Sequence, residues 1–192
     1  MEIEIRSSDS AVISGYVNAV ERRSKVLSRP GAPPFREIVK PGTFRKAIGR
    51  GEKIELRFNH GRVICDTGSG LELREDNVGL RARAIVSDRE VVEAAKSGRL
   101  TGWSFGFRCL NDSWRTDEDG IELRELNDIS LSEVSVLTLD PAYIATSVEV
   151  RDNGEAFECR SCGDKPQLKD SYDFSVEKAE LTILSLGGRS NE

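Results

Sequence analysis

A chain of 192 residues with 38% hydrophobic and 32% charged content has material for one globular domain with a core, and too little for two of comfortable size. Its net charge of −5 argues against a protein held to nucleic acid by phosphate contacts, although the first fifty residues carry ten Lys/Arg against five Asp/Glu. No apolar run reaches membrane length and the start "MEIEIRSS" alternates charge with isoleucine, so neither a membrane span nor a secretory leader is expected, and the protein should be cytoplasmic.

Taken in chain order, "AVISGYVNAV" (11–20) is rich in β-branched residues and predicts a strand, and the Pro/Gly/Ser-rich "LSRPGAPPFRE" after it predicts an exposed loop. "PGTFRKAIGRGEK" predicts a short helix, with Thr43 as N-cap, Phe44, Ala47 and Ile48 at helical spacing, and Gly49 or Gly51 as the stop. "KIELRFNH" and "RVICD" are strand-like, and "LELREDNVGLRARAIV" alternates on either side of Asn77 to Gly79, the signature of a hairpin. "SDREVVEAAKSG" is the clearest helix, with a capping box from Ser87 to Glu90 and Gly98 as its end. A strand over 99–108 follows, then a hairpin around "DEDG", then one or two strands interrupted at Asp140-Pro141. Beyond Arg151 the texture turns polar until "LTILSL" at 181–186, which places a domain boundary near 151 and leaves 152–192 as a tail. Many short strands with two helices point to a β-barrel or sandwich with helices outside it.

Four cysteines fit a reducing compartment. Cys65 and Cys109 read as small apolar fillers, and Cys159 and Cys162 form a lone CxxC pair. A structural zinc site needs about four ligands. One such pair and a single histidine favour two reduced thiols over a metal site.

Within "RLTGWSFGFR" the two-residue period of a strand puts Trp103, Phe105 and Phe107 on one face and Gly102, Ser104 and Gly106 on the other. The Ser104 hydroxyl, between two residues without side chains, is expected to be open to whatever lies against that face. Residues 102–106 match G-x-S-x-G, but the nucleophile elbow needs a strand before the serine and a helix after it, the reverse of this context. The α/β-hydrolase order of serine, acid, histidine is excluded as well, because the one histidine, His60, precedes the serine.

A serine hydroxyl needs a base, and imidazole is the usual one. A base for Ser104 from this chain must therefore be His60, where the strand "LRFNHG" runs into a Gly-containing loop. A surface histidine beside a turn fits the same residues. Glu133 stands out among the acids because "LSEVSVL" surrounds it with strand-forming apolar residues, where an unpaired carboxylate is costly. It shares a strand face with Leu131, Ser135 and Leu137 and so points to a compensating partner, or to water from an edge strand.

The set "FNHG", "LELREDNVGLRARAIV", "SGRLTGWSFGF" and "LSEVSVLTLDPAYIATSVEVR", in this order and spacing, resembles the prohead serine proteases of tailed bacteriophages. "ISGYVNAV" and "REIVKPGTFRKAI" also fit, and the likeness runs from about residue 11 to Arg151. The resemblance implies an α+β, mainly β fold: a closed or partly closed β-barrel with a few surrounding helices, related to the herpesvirus assemblin proteases. It implies catalysis by His60 as general base and Ser104 as nucleophile, with Glu133 of the "EVS" motif as third member and Ser135 as its competitor for that role. Arg108 and nearby backbone amides are candidates for the oxyanion hole. It implies no cofactor and no metal.

The resemblance further implies the scaffolding protein, or the scaffold-like segment of the major capsid protein, as substrate and partner, and self-processing. The setting would be the procapsid in the host cytoplasm, with the protein lost from the mature virion. No nucleic acid or membrane partner is implied, and a homo-oligomer is compatible. The tail would be removed by self-cleavage or used for targeting to the procapsid. A non-catalytic structural module of capsid assembly on the same fold is the alternative.

Overall fold

The computed structural model describes residues 1–29, 31–138, 148–150 and 156–162, and only the backbone at 148–150, 156–157 and 161–162. The interruption expected at Asp140-Pro141 and the apolar run at 181–186 lie outside the described residues. The elements run β1 (Glu2–Ser7), β2 (Ser10–Ala19), β3 (Phe35–Val39), α1 (Thr43–Gly49), β4 (Glu55–Phe58), β5 (Arg62–Asp66), β6 (Leu71–Glu75) and β7 (Gly79–Val86). They continue with α2 (Arg89–Lys96), β8 (Gly102–Thr116), β9 (Glu122–Leu137), β10 (Val148–Val150) and β11 (Ala156–Cys162). Eleven strands and two helices among the described residues make this a mainly β protein of the α+β class.

The strands form two sheets. One has the order β1-β2-β7-β6, and the other β10-β11-β8-β9-β4-β5, with β3 also paired to β9. β9 is the organising strand: β8 runs antiparallel to it along almost its whole length, while β3 and then β4 lie parallel on its other side. The alternation of β8 does what its sequence predicts. Trp103, Phe105 and Phe107 are all buried in the core, and Phe105 meets Phe44 of α1 edge-on with centroids 5.3 Å apart and stacks on Phe107 at 5.4 Å. α2 adds Val91, Val92, Ala94 and Ala95 to the same core.

Several local expectations are corrected. Thr43 does not cap α1: Gly42 holds the cap position, and Thr43 donates its hydroxyl to the Leu126 carbonyl. The open N–H groups of Gly42 and Arg45 are instead satisfied by the Glu75 carboxylate, a cap supplied from another strand. At α2 the cap is Asp88 and not Ser87, its carboxylate accepting from the N–H of Glu90 and Val91. The loop expected over 27–37 ends early, because Phe35 is buried as the first residue of β3 and bridges Leu27. The hairpins at 77–79 and around "DEDG" form as expected. At the first of them Gly79 is obligatory, since a Cβ there would stand 2.1 Å from the Asn18 carbonyl oxygen.

Candidate active site

Ser104 sits in the middle of β8, in a strand and not at an elbow. Residues opposite one another on adjacent strands project to the same face, and across β9 and β4 these pairings build a polar row on the side of β8 away from the aromatics. Ser104 lies opposite Ser135, and Gly106 opposite Glu133; on β4, Arg57 lies opposite Ser135 and Glu55 opposite Glu133. The expected openness of this face is not observed: Ser104 is 0% exposed. β11 pairs with β8 on its other edge, and the Ser104 hydroxyl donates to the Arg160 carbonyl oxygen at 2.7 Å.

His60 is delivered by the turn between β4 and β5. Asn59 and His60 both have left-handed backbone, φ 50 and 61, and the Gly61 N–H closes the turn on the Phe58 carbonyl at 3.0 Å. Two residues at positive φ in the centre of such a turn match the right-handed twist of the flanking strands. Histidine in that conformation costs about 1–2 kcal/mol, and a clamp on the end of β9 holds it there. The Asn59 N–H donates to the Val136 carbonyl, its side-chain amide donates to the Thr138 hydroxyl at 3.0 Å, and its side-chain oxygen accepts the Thr138 N–H at 2.9 Å.

Glu133, 1% exposed, is the compensated carboxylate that its apolar surroundings require. One oxygen lies 2.7 Å from His60 Nδ1 and the other 2.9 Å from Arg57 Nε. Arg57 also holds Glu55 and reaches the His60 carbonyl at 3.4 Å, so one guanidinium ties the carboxylate to the turn. A carboxylate only accepts hydrogen bonds, so the proton of its contact with the imidazole sits on Nδ1. In the neutral ring this leaves the lone pair on Nε2, which is buried and has no hydrogen-bond partner among the described residues. Ser135 Oγ is also near Nδ1, but at 3.4 Å. The acid is therefore the closer partner of the two considered for that nitrogen.

The arrangement is a carboxylate, an imidazole with its distal nitrogen unengaged, and a serine whose cross-strand neighbour, Ser135, touches the same imidazole. Such a set can accept a proton at Nε2 and stabilise the resulting imidazolium through Glu133. Cys159 of β11 completes a cluster with His60 and Glu133 in which one donor atom of each lies within 4.8 Å of the others. These are the described residues that could hold a metal, but the second oxygen of Glu133 already carries the Arg57 charge, which a cation would have to share. Arg108 is exposed and four residues along β8 from Ser104, roughly 13 Å at the rise of a strand.

A family model described as caudovirus prohead serine protease matches residues 1–159. The chain belongs to that family. Comparison with curated proteins gives no match, and neither does comparison with solved structures. Membership makes this a protein of the serine protease, capsid-maturation class of tailed phages, one whose family acts in the prohead. No helix among the described residues of this prohead protease is long and apolar enough to cross a membrane.

Sequence reasoning singled out His60, Ser104, Glu133 and Ser135, and the structure brings His60, Glu133 and Ser135 into contact while setting Ser104 beside Ser135. It missed Arg57, Asn59 and Thr138. The signal for Asn59 was present, since Asn before His-Gly is a residue suited to left-handed backbone. It also gave no hint of β11, whose described side chains include Glu158 and Arg160, both buried as charges.

Proposed function

We propose that this chain is the serine endopeptidase of head maturation, cleaving the scaffolding protein or the scaffold-like segment of the major capsid protein, and itself, through an acyl-enzyme on Ser104. The observation that carries this reading is the state of His60: Nδ1 engaged by a buried carboxylate, Nε2 buried and unpaired among the described residues. That is the tautomer a general base needs.

In this reading His60 Nε2 takes the Ser104 proton as Oγ attacks the substrate carbonyl carbon, and Glu133 balances the charge that develops on the ring. His60 then protonates the leaving amine, and water hydrolyses the ester in a second step with the same base. Glu133 is the third member and Ser135 a neighbour, in keeping with 2.7 Å against 3.4 Å to Nδ1. No step needs a metal or cofactor. A sheet built about β9, beside a second sheet of four strands, is in keeping with a herpesvirus-protease-like barrel. Residues 1–151 carry the protease domain, and the tail that follows is trimmed by self-cleavage or directs the protein into the procapsid, where the host cytoplasm supplies the setting and the mature virion retains none of it.

A second reading, a non-catalytic assembly module, draws on the complete burial of Ser104. The experiment that separates the two is the intact mass of the chain with and without a fluorophosphonate, for the parent, Ser104→Ala and His60→Ala, repeated in isolated procapsids. One adduct on the parent and none on either variant establishes the enzyme. No adduct in either setting establishes the module.

A further inference from the structure

The strand that covers Ser104 is bound as an extended peptide would be. β11 runs antiparallel to the edge of β8 with Glu158 opposite Phe107, Cys159 opposite Gly106, Arg160 opposite Phe105 and Ser161 opposite Ser104. Edge-strand addition of this kind takes affinity from the main chain and specificity from alternate side chains. Here the peptide group that meets the hydroxyl of Ser104 is the one between Arg160 and Ser161.

The alternate side chains of β11 fall into a charged site built by the body of the protein. The Arg160 guanidinium, 5% exposed, bonds both oxygens of Glu37 on β3, at 2.8 and 3.1 Å, and lies over the Phe107 ring. Glu37 is itself 4% exposed. Two residues earlier, the Glu158 carboxylate is held at 2.7 and 2.8 Å by Arg124 of β9, which also reaches Glu37 and Asp112. Without β11 the body contributes two carboxylates, Glu37 and Asp112, and one guanidinium, Arg124, an excess of one negative charge. A cation is the side chain that this site favours beside Glu37.

We propose that β11 occupies the substrate position, that Arg160-Ser161 is the bond this protease cuts in itself, and that Glu37 selects a basic side chain immediately before the cleaved bond. Arg124 favours an acidic side chain two residues before that one. The inference rests on the assignment of Ser104 as nucleophile and His60 as base. In the step, Ser104 Oγ bonds to the Arg160 carbonyl carbon while its proton passes to His60. The bond to the Ser161 nitrogen breaks as that nitrogen takes the proton, and water then releases the Arg160 carboxylate and restores the hydroxyl. The hydroxyl now points at the carbonyl oxygen, so attack requires it to give up that hydrogen bond and turn to the carbon, within about 3–3.5 Å.

The test follows the full chain by intact mass and gives it quenched peptides of the sequence 154–164, with alanine at both cysteines and with Arg, Lys, Ala or Glu at the position of Arg160. The expected product is a chain of residues 1–160, absent in Ser104→Ala, and a preference for Arg or Lys over Ala of about 10- to 100-fold, the range of one charged hydrogen-bonded contact. In Glu37→Gln that preference should collapse toward unity, and in Glu37→Arg it should turn toward the Glu peptide. The peptide series on the parent needs no variant to fold. Cutting at another bond, or a preference for basic residues that Glu37→Gln leaves intact, overturns the inference while the protease reading stands. Absence of both cutting and a fluorophosphonate adduct, in the parent and in Arg160→Ala where β11 is loosened, overturns the protease reading itself.

Discussion

Replacing Glu133 by glutamine separates a catalytic carboxylate from a merely structural one. Glutamine keeps the volume, but it removes the negative charge facing His60 Nδ1 at 2.7 Å and can donate its amide N–H to that nitrogen, favouring the wrong tautomer. The stability cost is bounded by Arg57. Orphaning one member of a buried ion pair costs about 3–5 kcal/mol, but Arg57 also bonds Glu55 at 2.7 and 2.8 Å and is not orphaned. A loss of about 1–3 kcal/mol is expected, the scale of one charged hydrogen bond. The chemical cost is larger, because the imidazolium loses its counter-charge and the base its tautomer: about 10³- to 10⁴-fold in kcat/KM, or roughly 4–5.5 kcal/mol of transition-state stabilisation. Urea unfolding measures the first quantity, and the second-order rate of fluorophosphonate labelling, with peptide turnover, the second. Labelling within tenfold of the parent, beside a clear loss of stability, would refute the orienting role and leave Glu133 as an ion-pair anchor.

Three further outcomes are expected. Gly79→Ala should unfold at markedly lower denaturant, by several kcal/mol, because its Cβ would stand 2.1 Å from a backbone oxygen that cannot retreat without breaking the β2–β7 pairing; a midpoint shift read by circular dichroism checks it. Burial, with help from Asp66, pushes the Cys65 thiol up to about 11, so at pH 7.5 alkylation by iodoacetamide should be on the order of 10²-fold slower than for free cysteine and should speed up only in strong alkali. Burial pushes the Glu158 carboxyl up, but the Arg124 hydrogen bond and the charges of Arg160 and Arg124 outweigh it and hold the group below its ordinary value of 4.5. Its contribution to seating β11 is therefore complete above that value and lost as pH falls through the lower folded value. Protection of the β11 amides against hydrogen exchange, taken relative to the intrinsic rate at each pH, should fall as the pH drops below the ordinary carboxylate range, and an unchanged profile would deny the ion pair a part in holding the strand.

What could be read from the chain and what could not divides along physical lines. The aromatic alternation of β8 and the hairpin at 77–79 were legible because each follows a simple period with turn residues beside it, and α2 because a capping motif and Gly98 bound it. Helix caps were less so: Asp88 and Ser87 are equally good capping residues, and at α1 the cap comes from Glu75, thirty-odd residues away, which no local pattern reveals. The cost of burying Glu133 among strand residues pointed to a compensating partner, and the structure supplies two, His60 and Arg57. β11 was invisible for the opposite reason. Its Glu158 and Arg160 read as solvated, whereas Glu37 and Arg124 neutralise them in the interior, and pairwise neutralisation between distant segments leaves no mark on hydropathy.

The strand β9 touches every participant: it carries Glu133 and Ser135, pairs with the strand bearing Ser104, pairs with the strand leading to His60, and through Val136 and Thr138 holds the turn on which His60 stands. A single strand thus acts as the common ruler from which all the reacting groups are measured. Lengthening the turn at 117–121 leaves that ruler intact, whereas one residue gained or lost between Ser130 and Thr138 would turn the whole row over at once. Variation in this chain should therefore accumulate as loop length at the far end of the β8–β9 hairpin and never as a change of length near Glu133, so that the chemistry is inherited as one unit.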